Sequence, residues 1–159
     1  MSASPPNPTP TDVTEIVVNL DDVTGELIGD AQRELLLAGA LDVWVTAIQM
    51  KKNRPGVVLS LLCEASKRDA LAGLVMELTG SFGVRYRAWD RVVLERRHVT
   101  VETAYGKVRV KVGELDGRVV VARPEFEDVK HLAQESGAVT RDVMDAAMAA
   151  AHAWREAQR

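Results

Sequence analysis

In Asn19-Leu20-Asp21-Asp22-Val23-Thr24-Gly25-Glu26 an apolar run stops, three carboxylates gather and a helical pattern begins. Upstream, Ile16, Val17 and Val18 within residues 15–20 make the short continuous run of a buried strand. Downstream, Thr24 stands at an N-cap position, and Glu26 falls in the first turn, where the helix dipole favours negative charge. Leu27, Ala31 and Leu35, joined by Ile28 and Ala38, then recur at helical spacing until Gly39 offers a stop.

From that strand-to-helix junction the pattern extends forward. Residues 41–50 read as a strand built on Val43, Trp44 and Val45, and residues 57–63 as another. Lys51-Lys52-Asn53-Arg54-Pro55-Gly56 turns between them. Ser66 is placed to cap a second helix in which Leu71, Leu74, Val75 and Leu78 repeat, and Gly80 and Gly83 close it. Residues 84–97 return as one long extended segment. The order β-α-β-β-α-β is the ferredoxin-like split unit, two helices on one face of an antiparallel sheet, so the fold class expected is α+β.

A different pattern follows. Val99, Val101, Thr103 and Tyr105, then Val108, Val110 and Val112, alternate with polar neighbours about Gly106, and Asp116-Gly117 signals a hairpin before residues 119–122. This predicts a small β-meander. Pro124 ends it, residues 125–136 read as helix, and Thr140 is placed to cap a last helix. That helix carries Val143, Ala147, Ala151 and Trp154 on one side with Met144 and Met148, a stripe suited to core or subunit contact. The expected divisions are a disordered Pro/Ser/Thr-rich tail over 1–14, a ferredoxin-like domain over 15–98, the meander over 99–124 and a helical segment over 125–159.

With 159 residues the chain suits one domain or a domain with an appendage, and a net charge of −3 argues against broad attraction to nucleic acid or anionic membrane. No run approaches the roughly 20 apolar residues that cross a bilayer, no signal-peptide pattern opens the chain, and the single cysteine, Cys63, excludes an internal disulfide. A cytoplasmic protein is expected, with Cys63 buried in its strand.

Any anion or metal binding must therefore come from local clusters. Carboxylates at a helix start have an ordinary duty as caps, but Asp21, Asp22 and Glu26 exceed what one cap requires. Asp21 and Asp22 leave the strand on opposite sides, so one is expected to act through the cap and the other to meet a metal. Oxygen ligands without thiolate or imidazole neighbours favour Mg²⁺ or Mn²⁺. Lys51, Lys52, Asn53 and Arg54 form either a solvated turn or a phosphate clamp. Arg85, Arg87 and Arg91 share parity around Trp89, and three guanidinium groups must be exposed, paired or turned to a ligand. The nucleotide-binding candidates are Lys51, Lys52, Asn53, Arg54, Arg85 and Arg91; the metal candidates are Asp21, Asp22 and Glu26. His98, His131 and His152 are dispersed, and no phosphate-binding glycine loop, nucleophile elbow or Cys-x-x-Cys is present, so no catalytic residue is singled out.

Taken in order, residues 19–26, Gly39-Ala40-Leu41-Asp42-Val43-Trp44, Gln49-Met50-Lys51-Lys52-Asn53-Arg54-Pro55-Gly56, Gly83-Val84-Arg85 and Tyr105-Gly106-Lys107-Val108-Arg109-Val110-Lys111 resemble the C-terminal domain of the LarC nickel-insertion proteins. Pro124-Glu125-Phe126-Glu127-Asp128 is similar to that family's acidic segment, and the match covers roughly residues 15–155. The resemblance implies CTP-dependent insertion of nickel into pyridinium-3,5-bisthiocarboxylic acid mononucleotide, completing a nickel-pincer nucleotide cofactor, with CTP consumed to CMP and pyrophosphate. It implies a chelatase of the lyase class whose C-terminal domain binds the metal–CTP complex. The family's N-terminal domain has no counterpart in residues 1–14, which implies a separate N-terminal component, and self-association of this chain is also expected. The competing expectations are a nucleotide-binding module without turnover and an oligomerising ferredoxin-like module whose charges are solvated.

Overall fold

The computed structural model describes residues 13–158. The tail expected over 1–14 lies outside the described residues except at Val13 and Thr14, which are buried and begin the first strand. Two compact units divide between Val92 and Val93.

The first unit runs β1 (Val13–Leu20), α1 (Gly25–Leu37), β2 (Asp42–Met50), β3 (Arg54–Glu64), α2 (Arg68–Thr79) and β4 (Arg85–Trp89). The sheet order is β2-β3-β1-β4, all neighbours antiparallel, as the ferredoxin-like reading requires. Period-two alternation sends Ile16, Val18, Leu20, Leu59, Leu61 and Cys63 to one face, where Ile28 and Leu35 of α1 and Leu71 and Val75 of α2 complete the core. Glu15, Val17 and Asn19 of β1 have the opposite parity, opposite Leu62, Ser60 and Val58 of β3. Leu27 is half exposed, because the buried edge of α1 runs through Ile28, Ala31 and Leu35 instead.

Two local expectations fail here. A single 3₁₀ turn, Ala65–Lys67, precedes α2, so Ser66 is too early to cap it and Lys67 sits at the N-cap without a side-chain bond. The long segment 84–97 is two strands, not one. Trp89 pairs with Val13, the first described residue of β1, and beyond it the chain leaves the sheet.

The second unit runs β5 (Glu95–Thr103), β6 (Gly106–Leu115), β7 (Arg118–Pro124), α3 (Phe126–Ser136) and α4 (Thr140–Glu156). The strands form the expected antiparallel meander, with Asp116 and Gly117 left-handed at φ 51° and 72° in the β6–β7 turn. Val108, Val110 and Val112 of β6 pack with Val129, Val143, Ala147 and Ala151 of the helices, and Met144 and Trp154 lie against that core. Thr140 is the first residue of α4 rather than its cap; Val139 holds the N-cap position without a side-chain bond.

Candidate functional site

Strand register decides which parts of the first unit meet. Leu20 pairs with Val57, and Arg54 with Met50, so the β2–β3 turn reaches past the end of β1 to the β1–α1 junction. Gly56 permits this approach. A Cβ there would lie 2.7 Å from the Leu20 carbonyl oxygen and 2.9 Å from Met50 Sδ. Arg54 Nη1 donates to Asp21 Oδ2 at 3.3 Å. The basic turn and the acidic junction, 33 residues apart in sequence, are thus neighbours.

The turn is held under local strain. Lys52 (φ 60°, ψ 25°) and Asn53 (φ 61°) are both left-handed, a conformation that costs a residue with a Cβ about 1–2 kcal/mol. Asn tolerates it; Lys does not share that advantage. Gln49 Nε2 donates to Asn53 Oδ1 at 2.6 Å and ties the turn to β2. Lys51, Lys52, Asn53 and Arg54 are all exposed.

The expected trio of metal ligands is not gathered. Among the described residues no group of three or more His, Cys, Asp or Glu side chains is placed to hold a metal ion, so Asp21, Asp22 and Glu26 do not form a three-carboxylate cage. Asp21 is engaged with Arg54, and Glu26 lies in the first turn of α1. Neither aspartate is the helix cap. That is Thr24, whose Oγ1 accepts from the Leu27 backbone N–H at 3.4 Å.

Further along β1 the same sheet face carries more cations. Asn19 Oδ1 accepts from Arg85 Nη2 at 2.7 Å. Glu15 Oε2 accepts from Arg87 Nε and from Trp89 Nε1, each at 2.9 Å, and the Arg87 guanidinium lies 3.8 Å from the Trp89 ring centroid. Arg85 and Arg87 line a shallow pocket of about 360 Å³ with Glu15, Val17 and Ser60. Arg91 falls beyond the end of β4 and lines an adjoining pocket with Glu15 and Trp89. Sequence reading missed Glu15. The available signal was a carboxylate alternating with Ile16 and Val18 in a strand flanked by an arginine-bearing one.

Cys63 is fully buried, and burial pushes its thiol above the ordinary value, away from thiolate chemistry. His98 pairs with Glu125 and His131 with Glu135, on separate elements. Among the described residues no helix is long and apolar enough to cross a membrane.

The class these features define is a ferredoxin-like unit whose cationic hairpin turn stands against an acidic β–α junction, followed by a meander capped by two helices. The chain belongs to the nickel insertion protein family, whose model matches residues 3–144. A family member from Myxococcus xanthus is 47% identical over 135 residues, 85% of this chain and 35% of its own length. The pyridinium-3,5-bisthiocarboxylic acid mononucleotide nickel insertion protein of Lactiplantibacillus plantarum is 42% identical over 138 residues, 87% of this chain and 33% of its own. The chain therefore spans about a third of the length of these curated relatives. Among solved structures, the apo form of LarC2, the C-terminal domain of a cyclometallase involved in the synthesis of the NPN cofactor of lactate racemase, matches with a TM-score of 0.84 and 42% identity. That match covers 89% of this chain and 98% of the other. A protein of Methanopyrus kandleri matches at a TM-score of 0.67 and 32% identity, over 89% and 87%. The family resemblance and the α+β fold expected from the motifs are thereby confirmed.

Proposed function

We propose that this chain is the metal–CTP-binding part of a nickel insertase that completes a nickel-pincer nucleotide cofactor. In this reading CTP is consumed to CMP and pyrophosphate, nickel is delivered to pyridinium-3,5-bisthiocarboxylic acid mononucleotide, and the activity falls in the lyase class. The chain acts as a homo-oligomer with a component equivalent to the remaining two thirds of the curated relatives, which the sequence reading assigns to a separate chain.

The observation that carries the reading is the Arg54–Asp21 contact. It sets a phosphate-binding set, Lys51, Lys52, Asn53 and Arg54, beside carboxylates suited to a divalent ion. Mg²⁺ is usually bound through one or two carboxylates plus substrate phosphates rather than by an all-protein cage. Asp21 and Asp22 fit that pattern and are the residues that would hold the ion with the nucleotide; its chemistry there is to neutralise phosphate charge. Arg85, two strand positions away beside Asn19, extends the cationic track, and Arg91 lies further along the same unit. Glu26 is left to the helix dipole.

The deciding assay incubates the purified chain with Mg²⁺ and each of the four nucleoside triphosphates, reading both binding and pyrophosphate release. Preferential binding of CTP, with release dependent on the complementary component and pincer nucleotide, is expected. CTP binding without turnover in the reconstituted system would favour a sensing module. Binding of no triphosphate would leave an oligomerising module.

A further inference from the structure

We infer that Gln49, at the end of β2, is a positioning residue: it occupies the oxygen of the Asn53 amide, so that the turn offers its donors to a polyphosphate. The inference rests on the functional reading above for the polyphosphate, and it adds a residue which that reading does not use.

In the β2–β3 ladder Gln49 stands opposite Pro55 and Met50 opposite Arg54, so the Gln49 side chain springs from paired backbone at the base of the turn. Four residues on, Asn53 is exposed and left-handed at φ 61°, directly after the left-handed Lys52. The bond from Gln49 Nε2 to Asn53 Oδ1, at 2.6 Å, is the one side-chain hydrogen bond that either amide makes among the described residues. It does not account for the conformation. A neutral, exposed hydrogen bond contributes no more than the left-handed Lys52 costs. What the bond fixes is the direction of an amide.

An amide has one accepting end and one donating end, whereas an ionised phosphate oxygen only accepts. With Oδ1 taken by Gln49, the Nδ2 protons of Asn53 remain, and among the described residues they donate to nothing. Lys51 and Lys52 have no carboxylate partner there either, and Arg54 has its single 3.3 Å contact with Asp21. All four side chains of the turn therefore end in unengaged donors. Turned about, the same amide would set an oxygen among phosphate oxygens and withdraw a donor from them. Gln49 thus decides the sign of one contact in a set otherwise made by cations.

The test combines NMR and calorimetry on the full chain, titrated with Mg²⁺–CTP and with Mg²⁺–tripolyphosphate. It compares the wild type with Gln49→Met, Asn53→Gly and the double variant. Gln49→Met is expected to weaken both ligands about fivefold with melting unchanged. The Asn53 side-chain amide resonances should move on ligand addition in the wild type and stay still in Gln49→Met. Because Gln49 acts through Asn53, adding Gln49→Met to Asn53→Gly should change affinity no further. Undiminished affinity in Gln49→Met, an equal loss in the Asn53→Gly background, or a lowered melting temperature with the Asn53 resonances still responding would each overturn the inference. Gln49-dependent binding of tripolyphosphate without CTP binding would uphold it and sink the CTP reading. CTP binding that ignores Gln49 would do the reverse, and binding of neither ligand would overturn both.

Discussion

Arg109 in the second unit and Arg54 in the first show two uses of the same side chain. Asp128 closes on Arg109 from two directions, with Nη2 to Oδ1 at 2.7 Å and Nε to Oδ2 at 2.9 Å, and it also accepts the Arg109 backbone N–H at 2.9 Å. Arg54 has a single 3.3 Å contact with Asp21, in a turn that is strained and exposed. A guanidinium that is fully matched by a carboxylate locks α3 onto β6; one that is loosely matched keeps donors available for another anion. The surroundings agree. Glu125, at the N-cap of α3, is bonded to His98 and lies near Lys111, while Arg97 is held by Glu114 and the Trp154 ring. These charges of the second unit serve its own architecture.

The sharpest way to break this contrast is a pair of substitutions. Arg54→Ala is expected to weaken CTP binding by on the order of tenfold to a hundredfold, the scale of a lost charge-assisted hydrogen bond, whereas Arg109→Ala should leave CTP affinity unchanged. Equal losses would erase the distinction.

A second expectation concerns acid. The Arg109 guanidinium holds the Asp128 carboxyl below its ordinary value, and the His98 bond does the same for Glu125. A depressed folded-state value means that the unfolded chain binds more protons in the interval between the two. The stability contributed is therefore present above about pH 4, the ordinary carboxylate value, and is lost as pH falls through the lower folded values. Melting followed from pH 6 downward should drop more steeply in the wild type than in Asp128→Asn, whose melting at pH 6 is already lower by a few degrees.

Lys52→Gly should relieve the left-handed backbone and stabilise the first unit by about 1 kcal/mol while weakening CTP binding, the signature of strain kept for function. Denaturant unfolding measures the first and calorimetry the second. Smallest is Thr24→Ala. Its cap bond is long at 3.4 Å, so a loss of about 0.5 kcal/mol in the same unfolding assay is expected, with CTP affinity intact.

Much of this architecture was legible in the chain because patterning and topology agree. The buried sets Ile28/Ala31/Leu35 and Val143/Ala147/Ala151 follow helical period, and the Asp116-Gly117 turn follows from its residues. What failed was local. A 3₁₀ turn displaced the cap expected at Ser66, and the split of residues 84–97 lies in the irregular stretch between Trp89 and Glu95, which no periodicity reports. For the site, the proximity of Asp21 and Arg54 could be argued from strand order, since β1 and β3 must pair in this topology. That Asp21, Asp22 and Glu26 form no three-ligand group could not, because it turns on side-chain directions through the four residues, 21–24, that belong to neither strand nor helix. Glu15 went unread for a related reason: its value lies in Arg87 and Trp89, more than 70 residues away.

The central claim is that an acidic junction and a cationic turn together hold a metal-bound nucleotide. The most direct test is titration of the chain with CTP in excess Mg²⁺ and again in EDTA, followed calorimetrically. The account predicts binding with Mg²⁺ and its loss in EDTA, since bare phosphates would meet Asp21 and Asp22 without a cation between them. Equal affinity in the two conditions would contradict it.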